Sequence, residues 1–132
     1  MDGAQRWGMV HVDDAGSAFA LAIDRAAQLS NPEILNLVAD SEATVREMAA
    51  AVARAAEGAP ARIRALSPDE SRARFGRIAE GLAADQRFDA RRARTLLGWE
   101  PRRPTFAAGA AEWRAEWRNH SRQAEQDGAP RP

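Results

Sequence analysis

The 132-residue sequence contains no cysteine and no tyrosine, and because it also lacks lysine, all 19 of its basic residues are arginine. A chain without cysteine has no disulfide, no thiolate nucleophile and no thiolate metal ligand, which is compatible with the cytosol. No apolar run approaches the roughly 20 residues that a membrane-spanning helix needs. The first residues, M-D-G-A-Q-R-W, have no apolar core of a secretory leader. We therefore expect a cytoplasmic protein without a membrane partner.

The acidic residues also number 19, so the formal net charge is zero. A chain without excess positive charge has no overall field that attracts nucleic acid. Arginines do cluster locally, at Arg91, Arg92, Arg94, Arg102 and Arg103, and such a cluster can bind phosphate through bidentate hydrogen bonds. An arginine-rich helix with interspersed alanine and leucine is nevertheless more often a solvated face. We therefore predict no nucleic-acid partner, and keep anion or nucleic-acid binding at these arginines as the weakest alternative.

Apolar runs at Met9 to Val12, Ile34 to Val38 and Ile63 to Leu66 predict three short strands. Helical spacing of apolar residues predicts a helix from about Asp14 to Gln28. Two capping boxes, T-V-R-E at residues 44–47 and S-P-D-E at residues 67–70, predict the starts of two more helices. This alternation predicts an α/β fold, a small layer of short, mostly parallel strands covered by helices.

The C-terminal third of the sequence predicts two further helices. Asp89 is a suitable N-cap for the first, which Gly98 ends. The second presents Phe106, Ala110, Trp113 and Trp117 on one face, a stripe that is more often core than a ligand platform. We predict one domain over residues 1–118, followed by a polar, disordered tail over residues 119–132.

The segment W-G-M-V-H-V-D-D, residues 7–14, contains the groups most suited to chemistry, namely His11 and the pair Asp13 and Asp14. Carboxylates at a helix start usually cap free amides, and a single histidine at a strand end is usually structural. A metal site needs three or four converging ligands, but the only other histidine is near the C-terminus. No G-x-S-x-G nucleophile motif occurs. We predict no catalytic residue and no metal site in this chain.

Four segments, taken in their order along the chain, resemble the C-terminal, substrate-binding half of the extended and atypical short-chain dehydrogenase/reductase family, in the NAD-dependent epimerase/dehydratase group. They are R-W-G-M-V-H-V-D-D-A, I-L-N-L-V, T-V-R-E-M-A-A-A-V and F-D-A-R-R-A-R-T-L-L-G-W-E-P. The resemblance extends from about Arg6 to Trp117, and its most specific element is L-G-W-x-P at residues 97–101. It implies an oxidoreductase, epimerase or dehydratase that acts on a small-molecule substrate with NAD or NADP.

The family binds its cofactor through a glycine-rich turn in an N-terminal Rossmann half, and its reaction uses a tyrosine followed four residues later by a lysine. This sequence has no such turn, no tyrosine and no lysine. The resemblance therefore implies no cofactor-binding residue here and a chain that is inactive alone. It places Arg6, Trp7, Met9 and His11 along the wall of a substrate pocket.

Two functions follow from this pattern. In the first, the chain is the substrate-binding part of an NAD(P)-dependent epimerase/dehydratase-like oxidoreductase, and the dinucleotide-binding domain is truncated away or carried on another polypeptide. In the second, the chain is a standalone, non-catalytic module that binds a small molecule or another protein. Apolar surface left uncovered in either case predicts self-association.

Overall fold

The computed structural model describes residues 2–39, 42–56 and 63–126. Those residues form six α-helices, which are α1 (Val12–Asp24), α2 (Val45–Ala55), α3 (Pro68–Phe75), α4 (Ala79–Ala83), α5 (Arg91–Leu97) and α6 (Phe106–Gln126). Two single-turn 3-10 helices, Ala26–Gln28 and Gly76–Ile78, follow α1 and α3. Strand-type pairing in the described residues consists of one isolated antiparallel bridge between Arg6 and Thr44.

The predicted α/β layer of parallel strands is therefore wrong, and all three predicted strands are absent. Val10, Leu35 and Leu37 do pack against the core, while Ile34 and Asn36 are exposed, an alternation that resembles a strand. A strand is defined by its hydrogen-bonded ladder, and alternation alone does not make one. The two segments share a hydrogen bond from the Ala39 amide to the Met9 carbonyl, 2.8 Å long. Residues 63–66 likewise join no ladder.

The main core lies where α1 meets α5. Its buried residues are Ala18 from α1, Ala93 and Leu97 from α5, and Val38, Ala90 and Trp99 from the connecting segments. Small alanines at the contact let the two helices approach closely. Gly98 ends α5 with a left-handed φ of 59°, as predicted, and so turns the chain to insert Trp99. The N-cap of α5 is Ala90, while the Asp89 carboxylate accepts the amide hydrogen of Arg91 at 2.6 Å.

Helices α2 and α6 pack against each other and form the second layer of the structure. Met48, Ala51 and Ala110 are buried there. The predicted aromatic stripe of α6 is only partly covered, because Phe106 and Trp113 are half-buried whereas Trp117 is 61% exposed. Helix α6 continues to Gln126, beyond the predicted start of the tail at residue 119, and residues 127–132 lie outside the described residues.

Both predicted capping boxes are confirmed. Thr44 accepts the amide hydrogen of Glu47, whose carboxylate accepts that of Thr44. The same reciprocal pair joins Ser67 and Glu70 at the start of α3, with Pro68 at the first helical position. Gly58 followed by Pro60 predicts a stop for α2 from the sequence alone. These two residues lie outside the described residues, and α2 itself ends at Ala55.

The capping box of α3 predicts a dependence of that helix on pH. The Ser67 amide donates to Glu70 at 2.8 Å and the Arg64 guanidinium donates to it at 2.7 Å, which lowers the pKa of Glu70 from 4.5 to about 2. A carboxylate whose pKa is lower in the folded chain stabilises the fold above its ordinary pKa. We therefore expect this contribution to be complete above pH 4.5 and to disappear as the pH falls to about 2.

The measurement is an acid titration of α3 amide signals by NMR in the parent chain and in Glu70→Gln. Between pH 4.5 and about 2 the α3 amide signals of the parent chain should change as the helix loses its capping box. Those of Glu70→Gln should not change in this range, because the variant has no carboxylate to protonate there. Asp69→Asn is the matched control, since it removes a carboxylate of the same helical turn that lies outside the capping box. Identical titrations of α3 in all three chains would contradict the prediction.

Candidate functional site

A cavity of about 300 Å³, here called cavity B, lies between residues 9–12 and the start of α6. Its lining is mainly apolar and includes Met9, Val12, Phe106 and Trp113. The polar side chains in the lining include those of His11 and Thr105. An apolar, aromatic wall with one or two polar side chains is typical of small-molecule sites. Cavity B therefore has the composition of a binding pocket for a small organic molecule.

His11 is the polar group of cavity B with a defined hydrogen bond. Its Nδ1 accepts the amide hydrogen of Asp13 at 3.2 Å, so that His11 is the N-cap of α1. The same Nδ1 lies 3.7 Å from the Asp13 carboxylate, so Nε2 is the ring nitrogen left for a ligand. The ring lies 5.2 Å from that of Trp113, centroid to centroid. His11 can thus offer Nε2 to a ligand beside an aromatic wall.

Helix α6 provides the opposite wall of cavity B. The Trp113 ring lies back over the preceding turn, where a Cβ on Gly109 would come within 2.4 Å of it, and Phe106 is 6.0 Å away between ring centroids. Glycine at position 109 is therefore what lets the indole lie flat against the helix. The sequence marked Trp113 as part of a stripe, but its partnership with His11 depends on the tertiary fold.

A second cavity of about 330 Å³, here called cavity A, lies between residues 6–8 and the start of α5. Four arginines line it, and they are Arg6, Arg87, Arg91 and Arg94. Two carboxylates, Glu42 and Asp89, also line it, and Phe88 supplies an aromatic side chain. Sequence reasoning singled out Arg91 and Arg94 within a basic cluster but did not associate them with Arg6 or Arg87.

Carboxylates near cavity A are held in the ionised form. The Arg6 amide and then the Arg87 guanidinium donate to Asp85 and lower its pKa. The amide and guanidinium of Arg91 lower the pKa of Asp89 in the same way. These groups therefore carry full negative charge at neutral pH and partly neutralise the arginines.

The four predicted substrate-binding residues occupy three different places. Met9 and His11 line cavity B, and Arg6 lines cavity A. The Trp7 indole N–H donates to the carbonyl of Leu82 at 3.0 Å, and Trp7 lines neither cavity. A role for these residues in substrate binding stays a prediction, and the geometry favours it most for Met9 and His11.

Asp13 and Asp14 were expected to cap helix amides, but the structure assigns their oxygens to other groups. Asp14 is buried and accepts the amide hydrogens of Arg102 at 2.9 Å and Arg103 at 3.0 Å. Asp13 pairs with the Arg103 guanidinium, which lowers the pKa of this carboxyl and raises that of the arginine. The carboxylates therefore join the start of α1 to the segment that precedes α6.

A nicotinamide dinucleotide does not fit the residues present. Among the described glycines, those with positive φ are Gly3, Gly76 and Gly98, and none of them lies between a strand and the start of an α-helix. The sequence also has no tyrosine and no lysine. Within the described ranges, no three histidine, aspartate or glutamate side chains come together as metal ligands.

Comparisons with known proteins leave the family undecided, because no family model, no curated protein and no solved structure matches this chain. In the part of the chain that the structure describes, no helix combines the length and the apolar character needed to cross a bilayer.

Proposed function

We propose that this chain is the substrate-binding part of an NAD(P)-dependent oxidoreductase of the epimerase/dehydratase group, which a dinucleotide-binding domain must complete. The observation that supports this proposal is that α1 has apolar residues on two sides. One side packs into the core through Ala18 and Leu21. A second side, about 120° around the helix from Ala18 and about 180° from Leu21, is uncovered, since Val12 is 75%, Phe19 65% and Ile23 75% exposed.

The spacing of Val12, Phe19 and Ile23 places them within about 40° of one another on a helix of 3.6 residues per turn. A helix that is apolar on both sides is usually buried on both sides. The uncovered side of α1 is therefore suited to contact with a second protein body. The resemblance to dehydrogenase sequences names that body as the dinucleotide-binding domain.

Cavity B adjoins this uncovered face, because Val12 belongs to both. A domain placed over α1 would therefore also border the cavity next to His11 and Met9. Ligand sites commonly lie at such domain junctions. The proposal places a small substrate in cavity B and the cofactor on the partner domain, and it places the assembled protein in the cytoplasm, with which the lack of cysteine is compatible.

The first test is genetic. The coding DNA directly upstream, or a neighbouring gene, should encode a glycine-rich strand-turn-helix unit followed by Y-x-x-x-K. The encoded segment should co-purify with this chain, and NADH should bind to the complex with micromolar affinity by fluorescence titration. The chain alone should not bind NADH. Absence of such a segment, or micromolar NADH affinity of the isolated chain, would contradict the proposal.

The second test is a matched pair of variants. Ile23→Glu places a charge in the uncovered face of α1, and we expect it to weaken the complex at least about tenfold, because a buried unpaired charge costs several kcal/mol. Ile78→Glu is the control, since Ile78 is similarly exposed, at 62%, in the 3-10 helix after α3. Each variant alone should unfold like the parent chain.

Sedimentation velocity separates this proposal from the standalone module. If the parent chain self-associates and Ile23→Glu makes it monomeric while no dinucleotide-binding partner binds, the uncovered face serves a homo-oligomer and the oxidoreductase assignment is wrong. If Ile23→Glu and Ile78→Glu bind the partner equally well, α1 is not the contact surface.

A further inference from the structure

We propose that cavity A binds the phosphate group of a small phosphate monoester whose organic part lies against Phe88. This inference goes beyond the proposed function, because it concerns a cavity other than cavity B, although Ala39 lines both, and it names a second ligand class. It depends on the arginines that the fold brings to cavity A and on the aromatic ring beside them.

The charges around cavity A leave an excess of one positive charge. Four guanidinium groups line it, from Arg6, Arg87, Arg91 and Arg94. They face two carboxylates in the lining, Glu42 and Asp89, and a third, Asp85, which contacts Arg6 and Arg87. A phosphate dianion would change this excess of one positive charge into an excess of one negative charge, so its affinity must come from the hydrogen bonds that the arginines donate and not from net charge alone.

In the part of the chain that the structure describes, Arg94 is the arginine of cavity A without a close ion pair, although its charge helps to lower the pKa of Asp89. Among the described residues it has no carboxylate within 4 Å, whereas Arg91 pairs with Asp89 at 2.5 Å and Arg87 pairs with Asp85 at 3.1 Å. Ion pairs between exposed side chains contribute little, so Arg87 and Arg91 can reorient at low cost. Arginine matches phosphate geometry with two parallel hydrogen bonds. Arg6 makes no such pair with a carboxylate, since its guanidinium lies 3.4 Å from that of Glu42 and 3.7 Å from that of Asp85 and donates to the Glu42 carbonyl at 3.1 Å.

The organic part of the ligand is indicated by Phe88. Its ring lies directly on Gly8, where an added Cβ would be 2.6 Å from Cδ2 of the phenyl ring, and yet the side chain stays exposed beside Val38 and Ala39 in the lining. One face of the ring is thus supported by the backbone and the rest is open to a ligand. At about 330 Å³ the cavity is at the lower end of the range for ligand pockets, so a small monoester fits it better than a large one.

The experiment titrates the whole chain with inorganic phosphate and with phenyl phosphate, at low ionic strength and at pH about 8, where the phosphate is a dianion. Binding is followed by NMR shifts of the Phe88, Asp89 and Arg91 amides. We expect saturable binding that weakens several-fold when salt is raised from about 0.02 to about 0.2 M. Phenyl phosphate should bind more tightly than inorganic phosphate, and Phe88→Ala should remove this preference.

The variants Arg94→Gln and Arg87→Gln should each weaken phosphate binding about tenfold, because each loses a charge-assisted hydrogen bond. Arg77→Gln is the control, since it removes the same charge from an arginine outside cavity A. Two independent arginines keep the test valid if one variant fails to fold. Non-saturable shifts, or equal binding in the parent, both cavity variants and the control, would overturn the site. Equal affinity for the two probes would overturn the role of Phe88.

Discussion

Replacing Trp99 with alanine is expected to lower the free energy of unfolding by about 3 to 5 kcal/mol, the usual cost of truncating a large buried aromatic side chain. Trp99 is only 1% exposed and lies in the core with Ala18, Ala93 and Leu97. Its indole N–H also donates to the Asp14 carbonyl at 2.9 Å and to the Ser17 hydroxyl at 3.1 Å. The loss is a large part of the 5 to 15 kcal/mol that typically stabilises a domain.

Urea denaturation followed by circular dichroism would measure this loss in the Trp99 variants. Trp99→Phe keeps most of the apolar burial and removes the N–H donor, so we expect a smaller loss of about 2 kcal/mol. Trp117→Ala is the matched control, because Trp117 is 61% exposed on α6, and its effect should stay within about 0.5 kcal/mol. Equal unfolding midpoints for Trp99→Ala and Trp117→Ala would show that Trp99 is not the centre of the core.

Replacing Asp14 with alanine should have the next largest effect, a loss of about 3 kcal/mol. The buried carboxylate accepts two backbone amide hydrogens, those of Arg102 and Arg103, and hydrogen bonds to a charged acceptor contribute about 1.5 to 3 kcal/mol each. Solvation of the released amides limits the total, because Arg102 and Arg103 are exposed. The start of α1 would then lose its connection to the segment before α6.

Thermal unfolding of Asp14→Ala and of its neighbour Asp13→Ala would test this expectation. Asp13 pairs with the exposed Arg103 side chain, an interaction of a kind that contributes little, so its variant should melt close to the parent chain. Amide hydrogen exchange at Arg102 and Arg103 should accelerate in Asp14→Ala only. A larger effect of Asp13→Ala than of Asp14→Ala would contradict the hydrogen-bonding scheme.

Local signals in the sequence predicted the helices well. The capping boxes at Thr44 and Ser67 and the left-handed Gly98 involve residues close to one another in the chain, so their physical causes can be identified without a tertiary structure. The strands failed for the opposite reason. An apolar, alternating segment such as residues 34–38 indicates which side chains are buried. A sheet also needs a neighbouring strand with a ladder of hydrogen bonds, and the segment beside it provides one acceptor, the Met9 carbonyl, for the Ala39 amide.

The candidate sites were predictable only in part. The resemblance placed Met9 and His11 along a pocket wall, and both line cavity B, as do their neighbours Val10 and Val12. The other wall of cavity B is formed by Phe106 and Trp113 of α6. No local sequence pattern relates these two residues to His11. Asp14 was interpreted as a helix cap because its local context is that of a first helical turn. The Asp14 carboxylate in fact accepts the amide hydrogens of Arg102 and Arg103, which lie 88 and 89 positions further along the chain.

The contacts of Trp99 and Asp14 also determine when this chain can fold during synthesis. Trp99 donates to a carbonyl 85 residues before it, so the core cannot close until nearly all of α1 through α5 has left the ribosome. Closing so long a loop slows folding, because its entropy must be lost before the contacts form. Until then the apolar residues of α1 are open to solvent, and we expect the nascent chain to need a chaperone at this stage.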